Sequence, residues 1–171
     1  DMAPTKFEHL SAAIALYRPG PLEGGMVKNY LDRMHGREKV EYLHPLLEET
    51  TKSTYGILCY QEQCMATVRA LAGYSLGEAD IVRRVMGKKK RELVEPERAR
   101  FMVNAERAGH CTKEKAAEIW DLLEKFSGYG FNLSHSVAYA LLSYYTAWYK
   151  TNHRAAFYAA IASLAQSDTK K

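Results

Sequence analysis

The densest concentration of charge in this sequence lies in residues 83–91, where six of nine residues are cationic. These cations are Arg83, Arg84, Lys88, Lys89, Lys90 and Arg91. A charge run is commonly a solvated face, and cations at the carboxyl end of a helix are favourable by themselves. This density nevertheless exceeds what a helix dipole needs, and closely spaced guanidinium and ammonium groups bind phosphate oxygens well. The run therefore predicts a phosphate-binding segment, with a solvated basic loop as the alternative.

A second stretch whose residue types are suited to ligand binding is Gly128-Tyr129-Gly130-Phe131-Asn132-Leu133-Ser134-His135. It places two glycines, two aromatic rings, an amide, a hydroxyl and an imidazole at the entrance to a long apolar helix. Gly128 and Gly130 allow backbone angles closed to other residues and let a second molecule approach closely. Ser134 is the expected N-cap, so the N–H groups of the next turn would favour an anion. The alternative is a glycine-rich junction that only caps a core helix.

The helix that follows is predicted to carry two different faces. His135, Tyr139, Ser143 and Thr146 recur at helical spacing and form the expected polar face. The opposite face is an apolar stripe of Val137, Ala138, Leu141, Leu142, Tyr145, Trp148 and Tyr149. The pattern predicts a helix from Ser134 to at least Lys150, with a bend near Asn152.

The bulk composition is that of an ordinary soluble globular domain. The 171 residues are 47% hydrophobic and 26% charged, with a net charge of +4, and they suffice for one domain, 1–171, with a sizeable core. No apolar run approaches the roughly 18 residues of a membrane span, so no membrane contact is expected. The first residues show neither a signal peptide nor an initiator Met, which predicts a piece of a longer cytoplasmic chain.

Cysteine and histidine spacing favours neither a disulfide nor a metal site. Cys59, Cys64 and Cys111 are an odd number without a C-x-x-C pair, so free thiols are expected. The six histidines are scattered and form no H-x-x-x-H pair. We expect no bound metal and no bound cofactor in this chain.

Helix signals recur along the chain and strand signals are sparse, which predicts an all-α fold with irregular loops. The expected helices span residues 4–17, 26–35, 58–72, 76–86, 92–108, 112–126 and 134–150, the last extending towards 164. Pro96 is expected to shift the start of helix 92–108 towards Glu95. A further helical turn is expected around residues 44–47. The prolines and glycines of residues 18–25 should prevent a helix there, and a rigid turn is preferred over a ligand-binding loop.

Local signals refine the middle of the chain. Ser75 and Glu78 form a capping box at the start of helix 76–86, and Gly87 is expected to end that helix. Asp80 precedes the two arginines of the basic run by three and four residues, within reach of either. The Gln-Glu-Gln segment at residues 61–63 is expected to be solvated, although an amide there could reach a nucleotide.

Several of these stretches occur in the same order in one known family. They are RPGP at residues 18–21, YGI at 55–57, YQEQ at 60–63, LAGYSLGEAD at 71–80, RRVMGKKK at 83–90 and EKFSGYGFN at 124–132. On these motifs the chain resembles the fingers domain of the bacterial replicative DNA polymerase III alpha subunit, a C-family DNA polymerase. The resemblance covers nearly the whole chain, and several motifs in register are far more specific than any one alone.

This resemblance implies that the chain is the helical fingers surface of a template-directed DNA polymerase. By position it implies phosphate binding, of the incoming dNTP and nearby DNA, by Arg83, Arg84, Lys88, Lys89 and Lys90. It implies a place near the nascent base pair for Tyr129, Asn132, Ser134, His135 and Tyr139. The implied partners are primer-template DNA, dNTP and the palm domain of the same polymerase. The sliding clamp, exonuclease and clamp-loader subunits are implied partners of the whole enzyme, which works in the bacterial cytoplasm at the nucleoid.

The chain departs from the family's usual pattern at three places. Leu133 stands where the family commonly has Lys, which removes the cation of one nucleotide or template contact. Arg91 stands where the family often has Pro. The family's proline before the last short helix is absent from His153-Arg154-Ala155. The first change affects nucleotide handling, whereas the other two are expected to alter only loop stiffness.

The resemblance also implies where the catalytic chemistry resides. Nucleotidyl transfer needs acidic residues that hold two Mg²⁺ ions, and in this family those aspartates lie in the palm, upstream of the matching region. No comparable Asp-x-Asp arrangement occurs here. We therefore expect no catalytic residue in this chain, Mg²⁺ in the palm of the parent enzyme, and no polymerase activity from the chain alone.

A helix-turn-helix DNA-binding module is the alternative function. Helices 58–72 and 76–86, joined by Gly73-Tyr74, have suitable proportions. The arginines of the second helix lie at its carboxyl end, however, whereas recognition helices read bases with residues near their amino end. A third reading is an all-α interaction domain whose basic loop only aids solubility. Sequence preference in DNA binding separates a regulator from a polymerase finger.

Overall fold

Helix boundaries in the computed structural model follow local caps and breaks. The structure describes residues 2–88 and 91–166, so Lys89 and Lys90, two expected phosphate-binding residues, lie outside the described residues. Within these ranges the chain forms ten α-helices and no strand, which confirms the all-α prediction. They are α1 (Phe7–Leu16), α2 (Pro19–Glu23), α3 (Met26–Met34), α4 (Glu48–Thr51), α5 (Gln61–Ala72), α6 (Leu76–Lys88), α7 (Arg91–Arg107), α8 (Lys113–Ser127), α9 (Leu133–Asn152) and α10 (Arg154–Ala165). Short 3-10 turns, Pro45–Leu47 and Lys52–Thr54, flank α4.

Helices α5 to α8 enclose the main hydrophobic core. Phe101 of α7 and Trp120 of α8 are fully buried, with ring centroids 5.4 Å apart. Leu71 of α5 and Val82 of α6 pack into the same cluster. Truncating either aromatic ring to Ala would cost about 3–5 kcal/mol, because the removed atoms would leave a cavity. This core fixes the position of α6, which carries Arg83, Arg84 and Lys88 of the basic run.

A smaller core joins α1 and α3 to the segment before α5. Its centre includes Leu16, Tyr30 and Tyr60. His9 is 3% exposed; its Nδ1 accepts the Thr5 N–H at 3.1 Å, so its Nε2–H donates to the Tyr55 hydroxyl at 2.7 Å. Burial lowers the pKa of His9. The imidazole is therefore a neutral structural group in the folded chain.

Helix α9 packs against α1 through Leu133 and through two small buried side chains. Ser136 and Ala140 are its buried residues, and the Ser136 Oγ donates to the Ser11 carbonyl at 2.6 Å. The residues of the apolar stripe of α9 are all exposed, and α10 has no buried residue. None of the described helices is long and apolar enough to cross a membrane. We call the large exposed side chains the α9–α10 face: Leu141, Leu142, Tyr144, Tyr145, Trp148, Tyr149, Tyr158, Ile161 and Leu164.

Proline and glycine are accommodated within helices more often than the sequence predicts. Contrary to expectation, α2 forms at Pro19–Glu23, because prolines in a first turn lack only an N–H that has no helical partner. Helix α7 begins at Arg91 and contains Pro96, and α6 continues through Gly87. The predicted break after α9 is confirmed, since its C-cap, His153, leaves the helical conformation.

Candidate phosphate and nucleic-acid interface

Two motifs that lie 70 residues apart meet at the amino end of α5. The N–H of Gln61 donates to the Phe131 carbonyl at 2.9 Å, and the N–H of Phe131 donates to the Cys59 carbonyl at 3.1 Å. These bonds make an isolated parallel bridge between Tyr60 and Phe131. The pairing explains why α5 begins at Gln61 and not near Leu58, because Cys59 and Tyr60 are paired with Phe131.

The side chains of residues 61–63 fasten this junction. Gln61 Nε2 donates to the Gly130 carbonyl at 3.2 Å. The carboxylate of Glu62 accepts hydrogen bonds from the Asn132 side-chain amide and from the Leu133 N–H, both at 3.0 Å. The expectation that residues 61–63 are solvated is therefore wrong, because Gln61 and Glu62 bond to residues 130–133 at the start of α9 and Gln63 is buried.

Gln63 completes the start of α5 from inside the protein. Its Oε1 accepts the N–H groups of Cys59 and Tyr60 at 2.7 and 3.0 Å, and its Nε2 donates to the Thr54 hydroxyl at 2.8 Å. The side chain is 6% exposed. A buried amide with these partners is fixed in place, because losing any of them would leave a buried polar group unsatisfied.

The glycines of the turn serve close packing and do not adopt unusual backbone angles. Gly128 has φ −71° in the α-helical region, and Gly130 is absent from the glycines with positive φ. Neither glycine therefore uses the positive φ angles that glycine allows. A Cβ on Gly130 would lie 3.1 Å from both Gln61 Cγ and Phe126 Cε1. Position 130 has little room for a side chain, because α5 and α8 approach each other there.

Asn132, and not Ser134, is the N-cap of α9. Its Oδ1 accepts the His135 N–H at 2.8 Å, and its backbone is extended. Ser134 therefore lies inside the first turn and its side chain is exposed. The prediction for Ser134 is wrong because Glu62 holds the Asn132 amide nitrogen, which leaves the amide oxygen directed at the helix. The expected nearness of both residues to a base pair stays a prediction.

Arg18 secures the turn from the side of α1. Its Nη2 donates to the Tyr129 carbonyl at 2.6 Å, and its guanidinium carbon lies 4.6 Å from the centre of the Phe131 ring. Gly20 makes room for this packing, since a Cβ there would clash with the Tyr129 ring. Partial burial lowers the pKa of Arg18, yet an arginine stays charged at neutral pH. Residues 18–20 therefore form part of the scaffold of the turn.

Asp80 orients Arg83 and Arg84, the first two arginines of the basic run, as their spacing predicts. Its Oδ1 accepts Nε and Nη2 of Arg83 at 2.9 and 2.7 Å, and its Oδ2 accepts Nη2 of Arg84 at 2.9 Å. The hydrogen bond from Arg83 is the main cause of the lowered pKa of Asp80. Nη1 of Arg83 also donates to Gln61 Oε1 at 3.4 Å. The basic run is thereby linked to the junction at the start of α5.

A cleft of about 220 Å³ brings the basic run and the glycine motif together. Arg83, Arg84 and Lys88 line it from α6. Ser127, at the end of α8, and Gly130, in the turn after α8, also line it. We call this concave site the phosphate cleft. Cations around a concavity raise the local concentration of anions, because the low-dielectric walls focus the field. Three of the five expected phosphate-binding residues thus share one site.

The residues expected near a base pair fall into two groups. The rings of His135 and Tyr139 stack along α9 with centroids 4.5 Å apart, and the Phe131 ring lies 5.5 Å from His135. Tyr129 instead lines a separate cavity between α3 and α8. The Ser134 hydroxyl makes no hydrogen bond within the part of the chain that the structure describes. The structure therefore brings the rings of His135 and Tyr139 on α9 together with the ring of Phe131 just before it, whereas the Tyr129 ring lines a different concavity.

Four residues of this interface escape prediction as site residues: Arg18, Gln61, Glu62 and Asp80. Only the spacing of Asp80 and the polar cluster at residues 61–63 give a signal in the sequence. Leu133 has a structural role, because its side chain packs against the smaller core around Tyr60. A cation in its place would therefore lose apolar packing as well as add a charge.

Neither the cysteines nor the acidic residues form a metal site in the described residues. No group of three or more His, Cys, Asp or Glu side chains there could hold a metal ion. Cys59, Cys64 and Cys111 are free thiols, as their spacing predicts. Burial raises the pKa of Cys59 and of Cys64, so both thiols stay protonated and unreactive at neutral pH.

Comparison with known proteins gives consistent relatives. The family described as the bacterial DNA polymerase III alpha subunit finger domain matches residues 1–109. Over 99% of its length the chain is 50% identical to DNA polymerase III subunit alpha of Vibrio cholerae and 48% identical to that of Escherichia coli K12. Over 94% of its length it is 48% identical to that of Helicobacter pylori. The chain spans 15%, 15% and 13% of the lengths of these three relatives.

Proposed function

The chain belongs to the family of bacterial DNA polymerase III alpha subunit finger domains, and on that premise we propose that it binds the incoming dNTP and the nascent base pair. The relatives are named as polymerase subunits, and the chain spans about 15% of their length. Template-directed DNA synthesis is therefore proposed for the whole protein. This chain contributes a binding surface to that activity and no catalytic acid.

The phosphate cleft carries the proposal. The Arg83 and Arg84 side chains are 31% and 60% exposed while Asp80 holds them, so they are oriented and still accessible. A triphosphate has several charged oxygens whose geometry matches guanidinium groups, whereas Asp80 has only two oxygens. Lys88 adds a third cation to the same cleft. Lys89 and Lys90, outside the described residues, are proposed to extend this site along the DNA.

The ring stack on α9 is proposed to face the nascent base pair. Aromatic faces stack on bases whatever the sequence, because every base has a π-face. No acidic residue occurs between Lys125 and Gln166, so negative charge on this segment does not oppose the approach of a phosphate backbone. The proposed base-pair surface consists of Asn132, Ser134, His135 and Tyr139 and extends to Tyr129, which lines the separate cavity between α3 and α8.

The α9–α10 face is proposed to pack against the palm domain of the same polypeptide. A large exposed apolar patch usually marks a surface that another protein or domain covers, and Trp148 and Tyr149 on this face are 44% and 53% exposed. The two Mg²⁺ ions and their aspartates are proposed to lie in that palm. The sliding clamp, exonuclease and clamp loader are proposed to bind outside this chain, in a replisome at the bacterial nucleoid.

The helix-turn-helix alternative has weaker support. Helices α5 and α6 and the left-handed Gly73 between them have the predicted arrangement. The amino end of α6 is already occupied, however, because Ser75 and Glu78 cap each other and Arg100 forms an ion pair with Glu78. A recognition helix needs that end free to read bases.

The test measures primer-template binding and dNTP use by the full-length subunit that contains this sequence. The variant Arg83→Ala/Arg84→Ala should raise the KM for dNTP roughly tenfold or more, because charge-assisted hydrogen bonds to phosphate are lost. The slope of log DNA affinity against log salt concentration should be less steep by about two, one for each lost phosphate contact. Binding should not depend on DNA sequence.

The matched control is Arg37→Ala/Arg107→Ala, which removes two exposed arginines that do not line the cleft. Circular dichroism confirms that each variant keeps its helices. If the two double variants have the same KM and the same salt slope, the cleft does not bind phosphate and the proposal fails. A preference for one duplex sequence by several kcal/mol would instead support the helix-turn-helix alternative.

A further inference from the structure

A second cavity, of about 460 Å³, lies next to the phosphate cleft and has no role so far. It opens between α3, the loops around residues 41–43 and 56–58, and α8. Phe126 lines both concavities, whereas Tyr129 lines only this one. The volume falls in the range of about 300–1,000 Å³ that is typical of small-molecule sites. We call it the α3–α8 cavity.

The walls of the α3–α8 cavity are apolar and aromatic. Leu43, Ile57 and Leu122 supply aliphatic surface, and the rings of Tyr42 and Phe126 supply flat surface. Leu122 is 42% exposed, which is unusual for a leucine on a helix whose other apolar residues are buried. Flat apolar walls favour a planar aromatic ligand, because stacking adds to the burial of apolar area.

The polar part of the cavity is cationic. Arg33, Lys115 and Lys125 line it, with Glu41 as the one acid among the lining residues that the structure gives. Lys115 and Lys125 lie on the same helix as Leu122. Lys115 bonds to Glu118 at 2.9 Å, and Lys125 makes no ion pair within the described part of the chain. An anionic group on the ligand would therefore find an available cation there.

One wall is fixed before any ligand arrives. The Arg33 Nη1 donates to the carbonyls of Glu41 and Tyr55, both at 3.2 Å, and its Nε donates to Glu38 at 2.8 Å. The Arg33 side chain is 13% exposed. Gly56 has φ +76°, and a Cβ there would clash with the Glu41 carbonyl. Arg33 thus clamps two loops against each other, so little ordering cost remains for binding.

We propose that the α3–α8 cavity binds one nucleotide unit, with its base against Phe126 and Tyr42 and its phosphate at Lys115 and Lys125. The inference rests on the proposed function, because Tyr129 connects the cavity to the surface assigned to the nascent pair. An unpaired nucleotide of a single strand and a free mononucleotide share this chemistry. The strand would enter past the exposed Tyr129 ring, which is 40% exposed.

The test uses the full-length subunit and a primer-template whose single-stranded overhang carries 2-aminopurine next to the junction. The variant Lys115→Ala/Lys125→Ala should bind this overhang roughly three- to tenfold more weakly, because two phosphate contacts are lost. Its affinity for the same duplex with blunt ends should stay unchanged. A second variant, Leu122→Trp, fills the cavity and should abolish the fluorescence change of 2-aminopurine while the lysines remain.

The control Lys6→Ala/Lys113→Ala removes two exposed lysines that do not line the cavity. If it weakens overhang binding as much as Lys115→Ala/Lys125→Ala does, the cavity is not a nucleotide site. Deoxythymidine monophosphate that displaces the 2-aminopurine signal supports a free mononucleotide as ligand, whereas a signal that only single strands displace supports a strand. If Arg83→Ala/Arg84→Ala has no effect while the cavity variants do, the proposed function fails and the cavity assignment stands.

Discussion

The carboxylate of Glu62 accepts a hydrogen bond from the side-chain amide of Asn132 at 3.0 Å, which joins the first turn of α5 to the cap of α9. The same carboxylate accepts the Leu133 N–H at 3.0 Å. One acid thus stands at the amino ends of two helices, where both helix dipoles favour negative charge. The placement of the ring stack relative to the phosphate cleft depends on this contact.

Replacing the acid by its amide should loosen that junction. Glu62→Gln is expected to lower the free energy of unfolding by about 1–2 kcal/mol, because a charge-assisted bond and two dipole interactions weaken together. Amide hydrogen exchange at Leu133 should accelerate. Urea unfolding and exchange measurements check both effects, with Glu95→Gln on the exposed surface of α7 as the control. Unchanged exchange at Leu133 would contradict the role given to Glu62.

Adding a methyl group to the turn should be costly. Gly130→Ala is expected to destabilise the chain by about 1–3 kcal/mol, because its Cβ would press on Gln61 and Phe126. Gly77→Ala is the matched control: it adds the same methyl group within helix α6, where nothing lies within 4 Å, and should be neutral or slightly stabilising. Thermal unfolding of the two variants decides between packing and a general effect of alanine.

Stability should fall in mild acid because of His9. Its pKa is lowered in the folded chain, mainly by burial, so the unfolded chain binds the proton more readily. The stabilisation is complete above the unfolded pKa of about 6.5 and decreases as the pH falls through the lower folded value. Urea unfolding at about pH 7.5 and about pH 5.5 measures this difference. It should shrink in His9→Gln and persist in His110→Gln, an exposed histidine.

Polar substitutions on the α9–α10 face should change the stability of this chain and of the full-length subunit by different amounts. Trp148→Gln/Tyr149→Gln is expected to change the stability of the 171-residue chain by no more than about 0.5 kcal/mol, because both rings are half exposed. In the full-length subunit the same change should cost about 2 kcal/mol or more, because packed apolar area is lost. Equal effects in both proteins would show that no other domain covers the face.

The parts of the fold that the sequence predicts well are those set by neighbouring residues. The capping box of Ser75 and Glu78 depends on a spacing of three residues, and the structure has both bonds. Thr112 caps α8 by the same local logic. The left-handed ends of helices at Gly36 and Gly73 follow from backbone freedom alone.

The parts that the sequence does not predict depend on distant partners. Around Gln61 the sequence shows only an ordinary polar residue at a helix start, because its bonding partner, Gly130, is distant along the chain. Asn132 and Ser134 are comparable caps in isolation, and only the contact with Glu62 favours Asn132. Periodicity also cannot tell whether the apolar stripe of α9 meets this chain or another domain, because both give the same pattern.

The bond between Ser136 and the Ser11 carbonyl has a consequence for synthesis on the ribosome. These residues are 125 positions apart, so α1 emerges long before the helix that covers it. At about 5–20 residues per second, α1 waits roughly 6–25 seconds with that side open to water. Ala12 and Leu16 of α1 belong to the smaller core that Leu133 of α9 joins, so this side of α1 carries apolar side chains as well as Ser11. A newly made chain therefore exposes part of its smaller core until α9 has been synthesised.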